Sequence, residues 1–163
     1  MAVVLAPDFY QNRPILVTGG TGFIGRRLVA TLQALGARVQ VLVRPGRVIP
    51  TDWSRLKTVV SDLADAARLA RACAGMDTVI HAAGFAHADT GNTVGFADQH
   101  WAINADGTFQ LLDAAVASGV RRFGFLSSVK AVGDPGSHCV DENWDTPPET
   151  SYGLAKRAGE ERV

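Results

Sequence analysis

Three glycines spaced three apart, Gly19, Gly22 and Gly25, stand between an apolar run, Ile15-Leu16-Val17, and a helix-like run from Arg26 to Leu35. No other feature limits the possible folds so strongly. Gly19 permits a tight turn, Gly22 lets the backbone approach a ligand, and Gly25 lets the following helix pack closely on the preceding strand. The helix that starts there offers unpaired N–H groups and about half a positive charge at its N-terminus. Without its neighbours such a triplet is an ordinary turn. Flanked by a strand and a helix, it is the arrangement that binds the pyrophosphate of a dinucleotide.

The remaining pattern is consistent with that reading. Strand candidates lie at 14–18, 38–43, 57–60, 77–82 and 122–127, and helical patterns at 22–35, 64–73, about 96–118 and 151–163. Gly36 and Gly119 fall where a left-handed helix cap is wanted. Short apolar strands alternating with helices predict an α/β fold, a doubly wound parallel sheet with helices on both faces. The 163 residues amount to one domain, read as an arm over 1–13 and a nucleotide-binding domain over 14–163. Three loops, Arg44–Asp52, Gly84–Gly95 and Gly133–Thr150, follow strands, where parallel sheets bind ligands.

Composition excludes several classes. Formal net charge is +0 and the basic residues are scattered, which argues against nucleic acid or an anionic membrane as partner. Cys73 and Cys139 are far apart, and the four histidines lack zinc spacing, so neither a disulfide framework nor a metal is expected. The first six residues are too short and uncharged for a signal peptide, and no run is long enough to span a bilayer. A cytoplasmic protein is the default expectation.

Tyr152 and Lys156 are four apart, hence on one helical face about 6 Å apart along the axis. A tyrosine is a poor base at neutral pH. An ammonium at ~6 Å and an effective dielectric near 20 favours the tyrosinate by about 3 kcal/mol. Tyr152 is then able to take a hydroxyl proton as hydride leaves the same carbon. Taken alone, the pair is an ordinary i, i+4 spacing; it gains force from lying downstream of the glycine turn and of Ser127-Ser128.

Thr-Gly-Gly-Thr-Gly-Phe-Ile-Gly at 18–25, Asp62-Leu63, His81-Ala82-Ala83-Gly84, Asn104 with Gly107-Thr108, Ser127-Ser128, and Tyr152 with Lys156 follow in order. Together they resemble the extended short-chain dehydrogenase/reductases, the family of NAD-dependent epimerases/dehydratases, over the chain from residue 14. The resemblance implies a Rossmann-like fold. Gly19, Gly22, Phe23, Ile24 and Gly25 would cradle the pyrophosphate, and Asp62 and Leu63 would meet the adenine. Ala82, Ala83 and Gly84 would line the cofactor, and Asn104 would support the helix bearing the site. Ser128 would hydrogen-bond the reacting oxygen, with Ser127 the adjacent candidate. Tyr152 would be the acid/base, and Lys156 would bind the nicotinamide ribose. Without that resemblance, Asp62 reads as a helix cap, Asn104 as a solvated polar residue, and His81 as a satisfied core histidine. Phe85, Phe96 and Trp101 then read as core or loop anchors.

Departures narrow the expectation. Val129-Lys130 stands where the family's dehydratases carry an acidic pair, which disfavours elimination and leaves a nucleotide-sugar epimerase or 4-keto-sugar reductase. Val43 takes the place of the acidic residue that selects NAD, and Arg44 and Arg47 follow, so NAD or NADP is expected, with a tilt to NADP from Arg44. Family members continue well beyond the Tyr-Lys helix, so a truncated chain lacking the C-terminal substrate region is expected. Helices near 96–118 and 150–163 form dimer interfaces in the family, which implies a homodimer. The competing readings are a non-catalytic NAD(P)-binding module and a reductase of a steroid- or flavonoid-like substrate.

Overall fold

The computed structural model describes residues 8–86 and 95–163; within the loop expected at Gly84–Gly95, residues 87–94 lie outside the described residues. Five strands, β1 (Pro14–Thr18), β2 (Arg38–Val43), β3 (Lys57–Val60), β4 (Thr78–His81) and β5 (Arg122–Phe125), form one parallel sheet in the order β3-β2-β1-β4-β5. The chain works outward from β1 to β3, then crosses back to place β4 on the other side of β1. That reversal opens a crevice at the carboxyl ends of β1 and β4, where doubly wound sheets bind ligands.

Both faces of the sheet are buried, which is why its central strands read as nearly continuous apolar runs. Ile15, Val17, Val39, Val41 and Val43 pack with Val29 and Leu32 of α1 (Phe23–Ala34). The alternate residues Leu16, Leu42 and Val79 pack with Leu69 and Cys73 of α2 (Ala66–Cys73) and Leu111 of α4 (Gly107–Ala117). Gln40 interrupts the apolar run of β2. Its Nε2 donates to the Ala72 carbonyl at 2.9 Å, so one polar end of this buried side chain is satisfied by the end of α2.

Two expectations about the helices are altered. The helix expected over 96–118 is three pieces: α3 (Phe96–His100), a π-helical segment Trp101–Asp106, and α4. The helix expected to be capped by Asp62 is capped by Asp65, whose carboxylate accepts from the Arg68 N–H at 2.9 Å. Asp62 instead closes a short turn, accepting from the Ala64 N–H at 3.0 Å. Gly36 and Gly119 take left-handed φ values of 80° and 72°, ending α1 and α4 where expected.

Residues 8–13, expected to be part of a loose arm, are fastened to the amino-terminal edge of the sheet. Arg13 donates to the Phe9 carbonyl and pairs with Asp77 at 2.8 Å, and Arg122 pairs with the same carboxylate at 2.9 Å. Burial works against the Asp77 charge, but hydrogen bonds from Arg13 and Thr78 outweigh it and hold the carboxyl down to about 2. This contribution to stability is complete above the ordinary carboxylate range near pH 4 and is lost as pH falls toward 2. Asp77→Asn is expected to cost about 2 kcal/mol, because three guanidinium groups, those of Arg13, Arg121 and Arg122, lose their shared partner. Urea unfolding at pH 7 and pH 2.5 checks this: the difference between wild type and variant should shrink at the lower pH.

Candidate functional site

The glycine turn sits at the mouth of the crevice. Gly19 has φ of 69°, and a Cβ there would stand 2.5 Å from backbone atoms of Ala82 and Ala83. A Cβ on Gly25 would collide with the Gly19 carbonyl. Both positions therefore exclude any side chain, and α1 starts directly against the end of β1. Gly22, the residue before α1, makes no side-chain cap, and the first turn holds no acidic residue. The leading N–H groups of α1 are thus left for an anion.

A cavity of about 280 Å³ opens beside this turn. Its walls come from Gly19 and Gly22, from Arg44 and Arg47 after β2, from Asp62 and Leu63 after β3, from Ala82, Ala83 and Gly84 after β4, and from Ala102 and Ile103 of the π segment. Phe23, Ile24 and Gly25 lie just beyond the wall in the first turn of α1. The side chains of Phe23 and Ile24 are exposed, so what they offer a ligand is backbone N–H. The uncapped helix start, the side-chain-free turn and the two arginines fit an elongated anion such as a dinucleotide.

Behind the cavity runs a buried chain of hydrogen bonds whose donor order is fixed by chemistry. Thr108 donates to the Asn104 carbonyl at 2.7 Å, so its oxygen must accept from His81 Nε2 at 3.1 Å. His81 Nδ1 is then an acceptor, receiving the Thr18 hydroxyl at 2.6 Å, and Thr18 in turn accepts from the Ala83 N–H at 3.2 Å. Burial first, and the nearby Lys156 charge second, keep this imidazole neutral by pushing its pKa far down. His81 is a satisfied core histidine that ties β1, β4 and α4 together.

Asn104 is buried, not solvated. Its Oδ1 accepts from the Phe85 N–H and its Nδ2 donates to the Phe85 carbonyl, both at 2.9 Å, which holds the chain as it leaves β4. Next to it arrives α5 (Ser151–Arg162), capped by Thr150, whose hydroxyl accepts from the Gly153 N–H at 3.0 Å. Lys156 on α5 is 4% exposed; Nζ donates to the Leu126 carbonyl at 2.6 Å and lies 4.3 Å from the centre of the Phe125 ring. A Cβ on Gly84, in the cavity wall, would stand 3.0 Å from Asn104 Oδ1 and 3.9 Å from Lys156 Nζ. The ammonium therefore reaches the edge of the cavity. Burial lowers its pKa to about 8, against the opposing charge of Glu160.

The two serines after β5 have different surroundings. The Ser128 hydroxyl accepts from the Lys130 N–H at 3.2 Å and caps the short turn Val129–Ala131, which leaves its hydrogen free to donate. Ser127 Oγ is buried with no hydrogen-bond partner among the described residues. Sequence reasoning missed His100, which is buried and packs edge-on against Tyr152 with ring centroids 5.5 Å apart. The signal was present as a row of polar residues, His100, Asn104 and Thr108, at four-residue spacing. Phe85 and Phe96 anchor the same cluster, their rings 5.7 Å apart, whereas Trp101 is half-exposed.

A parallel doubly wound sheet with a side-chain-free turn against an uncapped helix start defines a nucleotide-binding domain of the Rossmann type. The model of the NAD dependent epimerase/dehydratase family matches residues 15–163, and the chain belongs to that family. It is 36% identical over 120 residues to a 3-beta-hydroxysteroid dehydrogenase of Mycolicibacterium neoaurum, covering 72% of this chain and 32% of that protein. It is 32% identical over 149 residues to a UDP-glucose 4-epimerase of Streptomyces lividans, covering 88% and 44% respectively. A short-chain dehydrogenase/reductase superfamily protein from Agrobacterium tumefaciens, solved with bound NAD, superimposes with a TM-score of 0.77 at 35% identity, covering 93% of this chain and 44% of that one. The chain thus spans less than half the length of these relatives. Among the described residues no helix is long and apolar enough to cross a membrane.

Proposed function

We propose that this chain is the cofactor-binding and acid/base portion of an NAD(P)-dependent nucleotide-sugar 4-epimerase or 4-keto-sugar reductase. The observation that supports this reading is the approach of Lys156 Nζ to Gly84, which brings α5, the helix that carries Tyr152, to the cavity edge. When bound there, the nicotinamide would accept or return a hydride at a carbinol or ketone carbon. Tyr152 would take the hydroxyl proton or give it back, one helical turn from the Lys156 ammonium. Nζ holds the Leu126 carbonyl with one hydrogen and keeps two for the ribose. Ser128 would donate its free hydroxyl hydrogen to the reacting oxygen. A dehydratase is disfavoured on this reading, since Val129 and Lys130 after Ser128 bring no carboxylate to the site.

The test is incubation of the full-length protein with UDP-hexoses and NAD(P). Conversion on catalytic cofactor supports epimerisation, and stoichiometric loss of NAD(P)H supports reduction. Turnover of a 3β-hydroxysteroid instead would favour the second reading, a steroid-like substrate, which the 36% identity to a hydroxysteroid dehydrogenase supports. Dinucleotide binding with no turnover across both substrate classes would leave a non-catalytic binding module. Ser128→Ala is expected to lower kcat by about tenfold or more, and Ser127→Ala much less, because only the former hydroxyl would meet the reacting oxygen.

Cofactor choice turns on Arg44 and Arg47, which both line the cavity and make no ion pair among the described residues. A 2′-phosphate would supply the missing anion, so NADP is the proposed preference. Arg44→Ala should weaken NADPH binding about tenfold and leave NADH nearly unchanged, as measured by fluorescence titration. Equal effects on both would remove this preference. A homodimer is also proposed, through α4 and α5, where Val116 and Leu154 are exposed.

A further inference from the structure

We infer that His100 is a positioning residue for Tyr152, fixing the direction of its phenol by ring contact while its own imidazole is tethered to the loop leaving β4. This rests on the reading of Tyr152 as the acid/base. The Tyr152 hydroxyl makes no hydrogen bond among the described residues, so packing alone sets where it points. The imidazole that meets its ring lies at 66° and 5.5 Å between centroids, within the range of favourable edge-on contacts.

His100 can act as a fixed stop because it is itself held on two sides. It is 1% exposed, and its ring lies 4.9 Å from that of Phe85. Its Nδ1 stands 3.1 Å from the Phe85 carbonyl, which Asn104 Nδ2 also reaches at 2.9 Å. A carbonyl oxygen only accepts, so Nδ1 carries the hydrogen. The 3.4 Å approach of His100 Nδ1 to Asn104 Nδ2 is then two donors converging on one acceptor, not a bond between them. The imidazole plane is thereby locked to the chain segment that includes cavity-lining Ala82, Ala83 and Gly84. A leucine would fill this space but would not join the segment to the acid/base helix. The π-helical segment that begins at Trp101 directly follows this residue, and such segments concentrate at functional sites.

The experiment is a cycle of His100 and Tyr152 variants in the full-length protein, with kcat, substrate KM and dinucleotide Kd measured for each. His100→Ala should lower kcat about 10- to 100-fold, the effect of a misplaced reacting group, with KM and Kd within about threefold of wild type. His100→Phe, which keeps the ring but gives up the Nδ1–H tether, should recover part of the rate; His100→Gln, which keeps a donor without a ring, should recover none. Adding His100→Ala to Tyr152→Phe should produce no further loss. An equal further loss in that background, a rise in Kd with kcat unchanged, or rescue by Gln as good as by Phe would overturn the inference. Should His100→Ala fail to fold, the Phe and Gln variants, closer in volume, decide it. A large loss in Tyr152→Phe with a silent His100→Ala overturns this inference alone. Unchanged turnover in Tyr152→Phe overturns the reading of the site and this inference with it.

Discussion

Gly19→Ala is expected to abolish measurable dinucleotide binding and to lower the melting temperature by roughly 10 °C. Two penalties combine. A φ of 69° costs an alanine roughly 1–2 kcal/mol, and the new Cβ would lie 2.5 Å from three backbone atoms of Ala82 and Ala83. Those atoms directly follow β4 and are held to β1 through the Ala82 N–H on the Thr18 carbonyl. Nothing there can swing aside as a long side chain would. Relief requires β1 and β4 to part where the cavity is formed, for a total of about 3 kcal/mol or more. Gly46→Ala is the matched control. Its φ is 78°, but nothing lies within 4 Å of a Cβ, so only the backbone penalty of about 1 kcal/mol applies. Thermal melts and nucleotide titrations of the two variants check the pair. Similar small losses in both would mean that the turn yields more readily than its contacts suggest.

The same contacts explain what could be read without coordinates. β1, β2 and β3 fall at the expected residues; the apolar runs of β1 and β2 are bounded by loop residues and packed from both faces. β4 and β5 are shorter than their apolar patterns, ending at His81 and Phe125, and Ala82, Ala83 and Gly84 after β4 line the cavity. Helical periodicity located the region 96–118 but not its π-helical turn, because a change of hydrogen-bond register leaves little trace in an apolar pattern. Asn104 illustrates the gap: on its own helix it is one more polar residue. Its burial follows from Phe85 crossing behind it, a contact across nineteen residues. Likewise Asp62 and Asp65 are both able to cap a nearby N–H. Which one caps α2 depends on where β3 releases the chain, and that is decided by the sheet rather than by local sequence. The glycine turn was legible because its demands are steric and local. The tethers around Tyr152 were not, since each joins distant segments.

Lys156→Met is expected to reduce kcat by about 10²–10³-fold below about pH 8, because the variant loses the ammonium at the cavity edge. The wild-type profile should have its own signature. Burial brings the lysine down to about 8, so kcat/KM should decline as pH rises through that value and the ammonium is lost. Stability should change in the opposite direction. The folded value lies below the unfolded value of 10.5, so the unfolded chain binds more protons between the two. The cost of burying the ammonium is therefore full below about pH 8 and fades as pH rises toward 10.5, and wild-type stability gains over that window relative to Lys156→Met. The methionine variant gives up the 2.6 Å donor to the Leu126 carbonyl and the contact with the Phe125 ring at every pH. These losses set its overall offset from wild type, not its slope. Melting temperatures of both proteins at pH 7, 9 and 10.5 separate slope from offset. Parallel curves would mean that Lys156 titrates alike in the folded and unfolded chains, and that burial does not lower it.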